Sequence, residues 1–127
     1  MARVEGGNTI SELQLRLRLF CDERDWAQFH TPKNLLAALV AEVGELAEAF
    51  LWLANDDAAT VMADGDRAAQ IRDEIADVTG CVLRLADVLG IDLDTALSSK
   101  MSRNAEKYPV ERAKGSPEKY TRLGRHT

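Results

Sequence analysis

Two pairs of acidic residues recur at one spacing in this chain, Glu42 with Glu45 and Glu74 with Asp77. In a helix, residues three positions apart point only about 60° away from each other, so each pair projects from one helix face. Each pair also lies on the same flank of an apolar stripe. If the two stripes pack on each other or on a partner, all four carboxylates border one groove.

Carboxylates at such close range repel one another unless cations or protons neutralise them. Oxygen donors without histidine or thiolate among them suit hard ions, Mg²⁺ first and Mn²⁺ next. The pattern therefore indicates a magnesium site formed by Glu42, Glu45, Glu74 and Asp77. The competing interpretation is a solvated helix face, since 21 of the 127 residues are acidic and glutamate is a good helix former.

Size and charge narrow the class of protein. A chain of 127 residues with 46% hydrophobic content can bury one core but has no room for two, so we expect a single domain over 1–127, with a core at about 9–108 and a C-terminal arm at 109–127. The net charge of −5 argues against binding to a nucleic-acid polymer. No apolar run approaches a membrane span, and residues 1–10 lack the apolar stretch of a signal peptide. We expect a cytoplasmic protein with reduced cysteines and no membrane partner.

The elements that must position the acidic pairs are helices, because every long segment has helical period and none alternates as a strand would. We predict an all-α fold in which four helices form a bundle, with the connection between the second and third at 54–65. The predicted helices span about 9–28, 31–53, 66–89 and 93–107. Thr31 and Pro32 are suited to the start of the second, and Gly90 to the end of the third.

The stripes that flank the acidic pairs lie on the second and third helices: Leu35, Leu39, Val43, Leu46 and Phe50 on one, and Ile71, Ile75, Val78, Val82, Leu85 and Leu89 on the other. Helical bundles also host di-iron sites. Those sites need a Glu-x-x-His motif from each of two helices, and neither His30 nor His126 is placed to supply one. Iron-dependent oxygen chemistry is therefore disfavoured.

The acidic motifs, Glu42-Val-Gly-Glu45 followed by Glu74-Ile-Ala-Asp77, resemble the E-x-x-E…E-x-x-D signature of the MazG-like, all-α nucleoside triphosphate pyrophosphohydrolases. Longer blocks look most like the dCTP pyrophosphatase branch of that family. These blocks lie at 23–35, 46–52, 100–110 and 115–120, and the likeness covers about 12–121.

The resemblance implies Mg²⁺-dependent hydrolysis of a nucleoside triphosphate, dCTP or a modified dCTP first, to the monophosphate and pyrophosphate. Such an activity would remove unwanted nucleotides from the pool. The four acidic residues would hold the metal, with Mn²⁺ as a possible substitute. Glu45, with Glu42 beside it, would activate the attacking water.

The resemblance also suggests where the substrate is held. Lys100, Arg103 and Asn104 lie at positions i, i+3 and i+4 of the fourth predicted helix, where their donors can reach one phosphate cluster, and Tyr108 could close over it. An ordinary exposed basic face is the alternative interpretation for the first three, and a helix cap for Tyr108.

The nucleobase side is implied to include Trp26, His30 and Trp52, because aromatic rings can stack on a base and an imidazole can read its polar edge. Burial in the core would equally account for the two tryptophans. Leu17 and Cys81 occupy base-side positions where the branch has histidine and tyrosine.

Family members assemble with the site at a subunit interface, so the resemblance implies a homo-oligomer, a tetramer built as a dimer of dimers. Three other functions share parts of the pattern. A sister enzyme acting on dUTP or phosphoribosyl-ATP would carry the same acidic quartet. A helical interaction module without turnover would leave the glutamates solvated, and a small regulator would use its acidic face to dock a basic partner.

Overall fold

The computed structural model describes residues 8–123, and all of the regular structure within that range is helical. This confirms the predicted all-α class. The α-helices are α1 (Ile10–Glu23), α2 (Pro32–Glu48), α3 (Asn55–Ala59), α4 (Gly65–Leu89), α5 (Leu93–Lys107) and α6 (Val110–Ala113). Two short 3₁₀ helices, Ala27–Phe29 and Val61–Ala63, lie in the connections.

The four long helices begin at side chains that satisfy their first backbone N–H groups. Thr9, Thr31, Asp64 and Asp92 each accept a hydrogen bond from the N–H three residues further on, and proline follows Thr31 in the first turn of α2. Helix α4 ends at Gly90, whose φ of 70° is in the left-handed region that glycine adopts without steric cost. The predicted starts of the second and fourth helices are confirmed.

Helix α1 is shorter than predicted, since it ends at Glu23 and not near residue 28. Asp25 takes a positive φ of 54°, and the N–H of Trp26 reaches back to the carbonyl of Cys21 at 3.0 Å. This turn ends the helix and starts a new direction.

Helix α2 also ends early, at Glu48 and not near residue 53. Beyond it the N–H groups of Ala49 and Phe50 bond to carbonyls three residues back, which tightens the chain into turns. The carbonyl of Ala49 accepts a hydrogen bond from Arg67 Nη1 at 2.7 Å instead of continuing the helix. The connection predicted at 54–65 is not irregular throughout, because α3 and the second 3₁₀ helix lie within it.

Helix α4 is the centre of the packing, with α2 and α1 both lying against it. Ala49, Val61 and Ile71 form a small buried cluster, on which Leu46, Phe50 and Leu53 pack. The predicted stripes are buried only in part, because Leu35 and Ile71 are enclosed whereas Val43 and Ile75 are 47% and 50% exposed. One copy of residues 8–123 therefore leaves part of each stripe uncovered, and packing of the stripes on a partner stays a prediction.

The chain divides into two compact units between Ile91 and Asp92. The second unit contains α5 and α6, and the segment after α6 folds back on the end of α5. Tyr108 and Tyr120 stack edge to face with ring centroids 5.9 Å apart, and Lys107 Nζ lies 4.8 Å above the Tyr120 ring. The predicted arm therefore has its own packing. The four-helix bundle and the single domain stay predictions.

Two further observations concern the cysteines and the helices of the described residues. Cys21 is buried and Cys81 is partly buried, and both thiols are free. None of the helices in residues 8–123 combines the length and apolar character needed to cross a membrane.

Candidate metal and nucleotide site

Three glutamates meet where α2 packs on α4. Glu42 and Glu45 project from α2 and Glu74 from α4, and one carboxylate oxygen of each lies within 4.8 Å of the others. Asp77, which follows Glu74 by almost one turn, is outside this group of three but close enough to raise the pKa of Glu42 and of Glu74 by charge repulsion. The packing thus brings the two predicted acidic pairs to one place, with Asp77 at its edge.

Two oxygens of the cluster are buried without a partner. Glu42 Oε2 and Glu74 Oε2 are shielded from solvent and form no hydrogen bond to any residue in the described part of the chain. Buried carboxylate oxygens cost free energy unless something compensates them. A hard divalent cation meets this requirement, because the donors around it are all carboxylate oxygens. The residues therefore fit a metal ion of the kind predicted.

Protons can compensate the cluster when no metal is bound. Burial, followed by the negative charge of Glu45, raises the pKa of Glu42 from 4.5 to about 7. The same two causes, in the same order, raise the pKa of Glu74. Burial and the charges of Glu42 and Asp77 also raise the pKa of the Cys81 thiol, so that this cysteine stays protonated and is a poor nucleophile.

A cavity of about 520 Å³ opens beside the acidic cluster, within the range of small-molecule sites. Glu42 and Asp77 lie in its wall. Four of the five residues predicted for the base side line it as well: Leu17, Trp26, His30 and Cys81. Trp26 stacks edge to face on His30, with ring centroids 6.3 Å apart. The wall therefore combines apolar and aromatic side chains with two carboxylates.

Trp52, the fifth predicted base-side residue, lies elsewhere. It is 91% exposed, and it borders a separate depression with Glu48 and Arg67. A tryptophan this exposed is not a core residue of one chain, which removes the alternative that it fills the core. Its contact with a base stays a prediction.

The residues predicted to bind phosphate belong to the second unit and are described within it. Lys100, Arg103 and Asn104 are exposed on α5, and Tyr108 follows its last turn. The one-face spacing expected from the sequence holds because α5 is regular from Leu93 to Lys107. Phosphate binding by these residues stays a prediction.

A charged network at the cavity was not predicted from the sequence. Arg84 lies in the cavity wall and is only 8% exposed. Its Nε donates a hydrogen bond to Nδ1 of His30 at 3.1 Å, and its Nη1 lies 3.5 Å from Asp87. Asp87 is held in turn by Arg18, at 2.9 and 2.6 Å, and this hydrogen-bonded pair lowers the pKa of Asp87. The one available signal was an arginine inside the apolar run from Cys81 to Ala86.

The all-helical structure and the cluster of three glutamates agree with the family that the sequence resembles. Residues 38–123 match the model of the MazG-like family. The chain belongs to the MazG-like family.

Relatives place the chain within that family. It is 41% identical over 119 residues to dCTP pyrophosphatase 1 of Rattus norvegicus, covering 94% of this chain and 70% of that protein. It is 40% identical over 115 residues to dCTP pyrophosphatase 1 of Homo sapiens, covering 91% and 68%. A solved structure of a pyrophosphatase from Archaeoglobus fulgidus superposes with a TM-score of 0.73 at 40% identity, covering 79% of this chain and 92% of the other. The chain is a hydrolase of the dCTP pyrophosphatase type, as the resemblance indicated.

Proposed function

We propose that this protein hydrolyses dCTP or a 5-modified dCTP to the monophosphate and pyrophosphate, with Mg²⁺ as its cofactor and Mn²⁺ as a substitute. The observation that carries the proposal is the pair of buried, unpartnered oxygens of Glu42 and Glu74 beside a cavity with an aromatic wall. The names of the relatives support the substrate class. The role that follows is removal of unwanted nucleotides from the cytoplasmic pool.

Glu42, Glu45, Glu74 and Asp77 would hold the metal. When bound, the ion neutralises phosphate charge and polarises the phosphoryl oxygens. In its absence the cluster is a concentrated negative charge that would repel a triphosphate. Activity should therefore require the metal.

The exposure of the carboxylates suggests which of them activates the attacking water. Of the three glutamates Glu45 is the exposed one, so it has access to water and is our candidate for the general base, with Glu42 beside it. The water oxygen forms a bond to phosphorus while its proton passes to the carboxylate. The P–O bond that links the α phosphate to the β phosphate breaks, and pyrophosphate leaves.

The cavity next to the cluster would hold the base. Trp26 offers an aromatic edge, His30 a polar one, and Leu17 and Cys81 supply small apolar contacts. We assign Trp52 to the same base, because its exposed ring is available for stacking. The donors of Lys100, Arg103, Asn104 and Tyr108 would bind phosphates.

We further propose that the protein is a homo-oligomer, a tetramer arranged as a dimer of dimers. The support is the apolar surface that one copy leaves uncovered on α2 and α4, where Leu36, Val40, Val43 and Ile75 are between 47% and 64% exposed. Several large apolar side chains left exposed on two packed helices favour a subunit interface there.

The proposal is tested by pyrophosphate release from a panel of ribo- and deoxynucleoside triphosphates, including dUTP and 5-modified dCTP, with Mg²⁺ and with EDTA. Glu45→Ala should abolish release while the helical content is kept. Asp73→Ala is the matched control, because Asp73 is an exposed acidic residue of α4 outside the cluster. No release from any substrate would favour the helical interaction module, and equal activity in Glu45→Ala would remove the acidic cluster from the mechanism.

A further inference from the structure

The buried side chain of Arg84 contacts two residues, His30 and Asp87. Its side chain is 9% exposed, and its shortest polar contact is the hydrogen bond from Nε to Nδ1 of His30 at 3.1 Å. The contact with Asp87 is longer, at 3.5 Å, and Asp87 already has two short hydrogen bonds from Arg18. Arg18 is thus the main ion-pair partner of Asp87, whereas the closest polar partner of Arg84 is the imidazole of His30.

This hydrogen bond fixes where the imidazole carries its proton. A guanidinium can only donate, so Nδ1 of His30 must accept and therefore bears no hydrogen. In a neutral imidazole the hydrogen is then on Nε2. Burial and the nearby charge of Arg84 both lower the pKa of His30, which keeps the ring neutral.

The Nε2–H group is left available to a ligand. His30 lines the cavity beside Glu42, and across residues 8–123 its Nε2 takes part in no hydrogen bond. Trp26 packs against the ring and limits its rotation. The proposed function assigns this cavity to the nucleobase, so the Nε2–H group of a residue in its wall can donate to a base.

We propose that Arg84 is a positioning residue for base selection, which holds His30 as an Nε2–H donor to the N3 atom of cytosine. The inference rests on the proposed function. In cytosine N3 is an unprotonated acceptor, whereas in uracil and thymine N3 carries a hydrogen that would oppose the donor. A site with a fixed donor discriminates strongly, because the wrong base leaves polar groups unpaired.

The proton position is tested directly by NMR without any substrate. Protein with ¹⁵N-labelled histidine is prepared in a His126→Gln background, so that His30 gives the remaining imidazole signals. Long-range ¹H–¹⁵N correlations should show the Nε2–H tautomer alone, and Arg84→Met should add the Nδ1–H tautomer. Arg18→Met is the control, since it removes an arginine from Asp87 without touching His30, and it should leave the tautomer unchanged. An identical spectrum for Arg84→Met would overturn the inference.

The effect on selection is tested by the ratio of kcat/KM for dCTP to that for dUTP. Loss of one oriented hydrogen bond should lower this ratio about tenfold in Arg84→Met, chiefly through KM for dCTP, while Mg²⁺ affinity stays the same. Arg18→Met should keep the ratio of the unmodified protein. Pyrophosphate release with an unchanged ratio in Arg84→Met would refute base selection by Arg84 and leave the proposed function intact. No turnover by the unmodified protein would refute the proposed function, and base selection with it, even if the spectrum confirms the tautomer.

Discussion

The contact between α2 and α4 that positions the carboxylates depends on Ile71, so Ile71→Ala should cost a large share of the stability. Ile71 is 3% exposed and packs in the cluster with Ala49 and Val61. The substitution removes three carbons, worth about 2.4 kcal/mol at about 0.8 kcal/mol per buried methylene. The cavity left behind raises the expected loss to about 3–4 kcal/mol.

Ile75→Ala is the matched control, because Ile75 lies one turn further along α4 and is 50% exposed. Half of the transfer term applies there and little cavity forms, so the expected loss is about 1 kcal/mol. Both losses are measured by urea unfolding followed by circular dichroism at low protein concentration. Equal losses in the two variants at every concentration would refute the core described here. A loss at Ile75 that grows with protein concentration would instead show that a second copy covers this face.

Three further predictions concern charge and backbone. The pKa values of Glu42 and Glu74 are raised in the folded state, so these two groups should stabilise metal-free protein most below pH 4.5 and lose that contribution as the pH rises towards 7. Tm measured against pH in EDTA should show this decline, and Mg²⁺ should abolish it. Asp87 has a lowered pKa, so its pairing with Arg18 should stabilise the protein above pH 3.8, and this stabilisation should be lost as the pH falls through the folded-state pKa. In Asp87→Asn, Tm measured against pH should no longer show this loss at acid pH. The same loss in Asp87→Asn and in the unmodified protein would count against the pairing. Gly90→Ala should cost about 1 kcal/mol in urea unfolding because of its positive φ, and Gly90→Asn less, so equal costs would argue against backbone strain as the cause.

The acidic cluster could be predicted because its main determinant is local. Helical periodicity alone places Glu42 beside Glu45 and Glu74 beside Asp77 on their helix faces. The proximity of the two pairs to each other depends on tertiary packing, so it could be predicted only from the apolar stripes and the family resemblance. The helix starts were predictable for the same reason, since a capping side chain acts within three residues.

The ends of α1 and α2 could not be predicted, because tertiary contacts decide them. No glycine or proline marks the end of α2, and the carbonyl of Ala49 instead bonds to Arg67, a residue 18 positions away. Asp25 adopts a left-handed conformation that aspartate enters only in a suitable context. The hydrogen bond from Arg84 to His30 joins residues 54 positions apart, so no local pattern could reveal it.

The proposed reaction is cleavage between the α and β phosphates of a cytidine deoxynucleotide at the acidic cluster. The most direct measurement is ³¹P NMR of the products formed from dCTP by the purified protein, with Mg²⁺ present or removed by EDTA. We expect dCMP and pyrophosphate in equal amounts, formed only with the metal and not by Glu45→Ala. Formation of dCDP and inorganic phosphate, or equal turnover in EDTA, would contradict it.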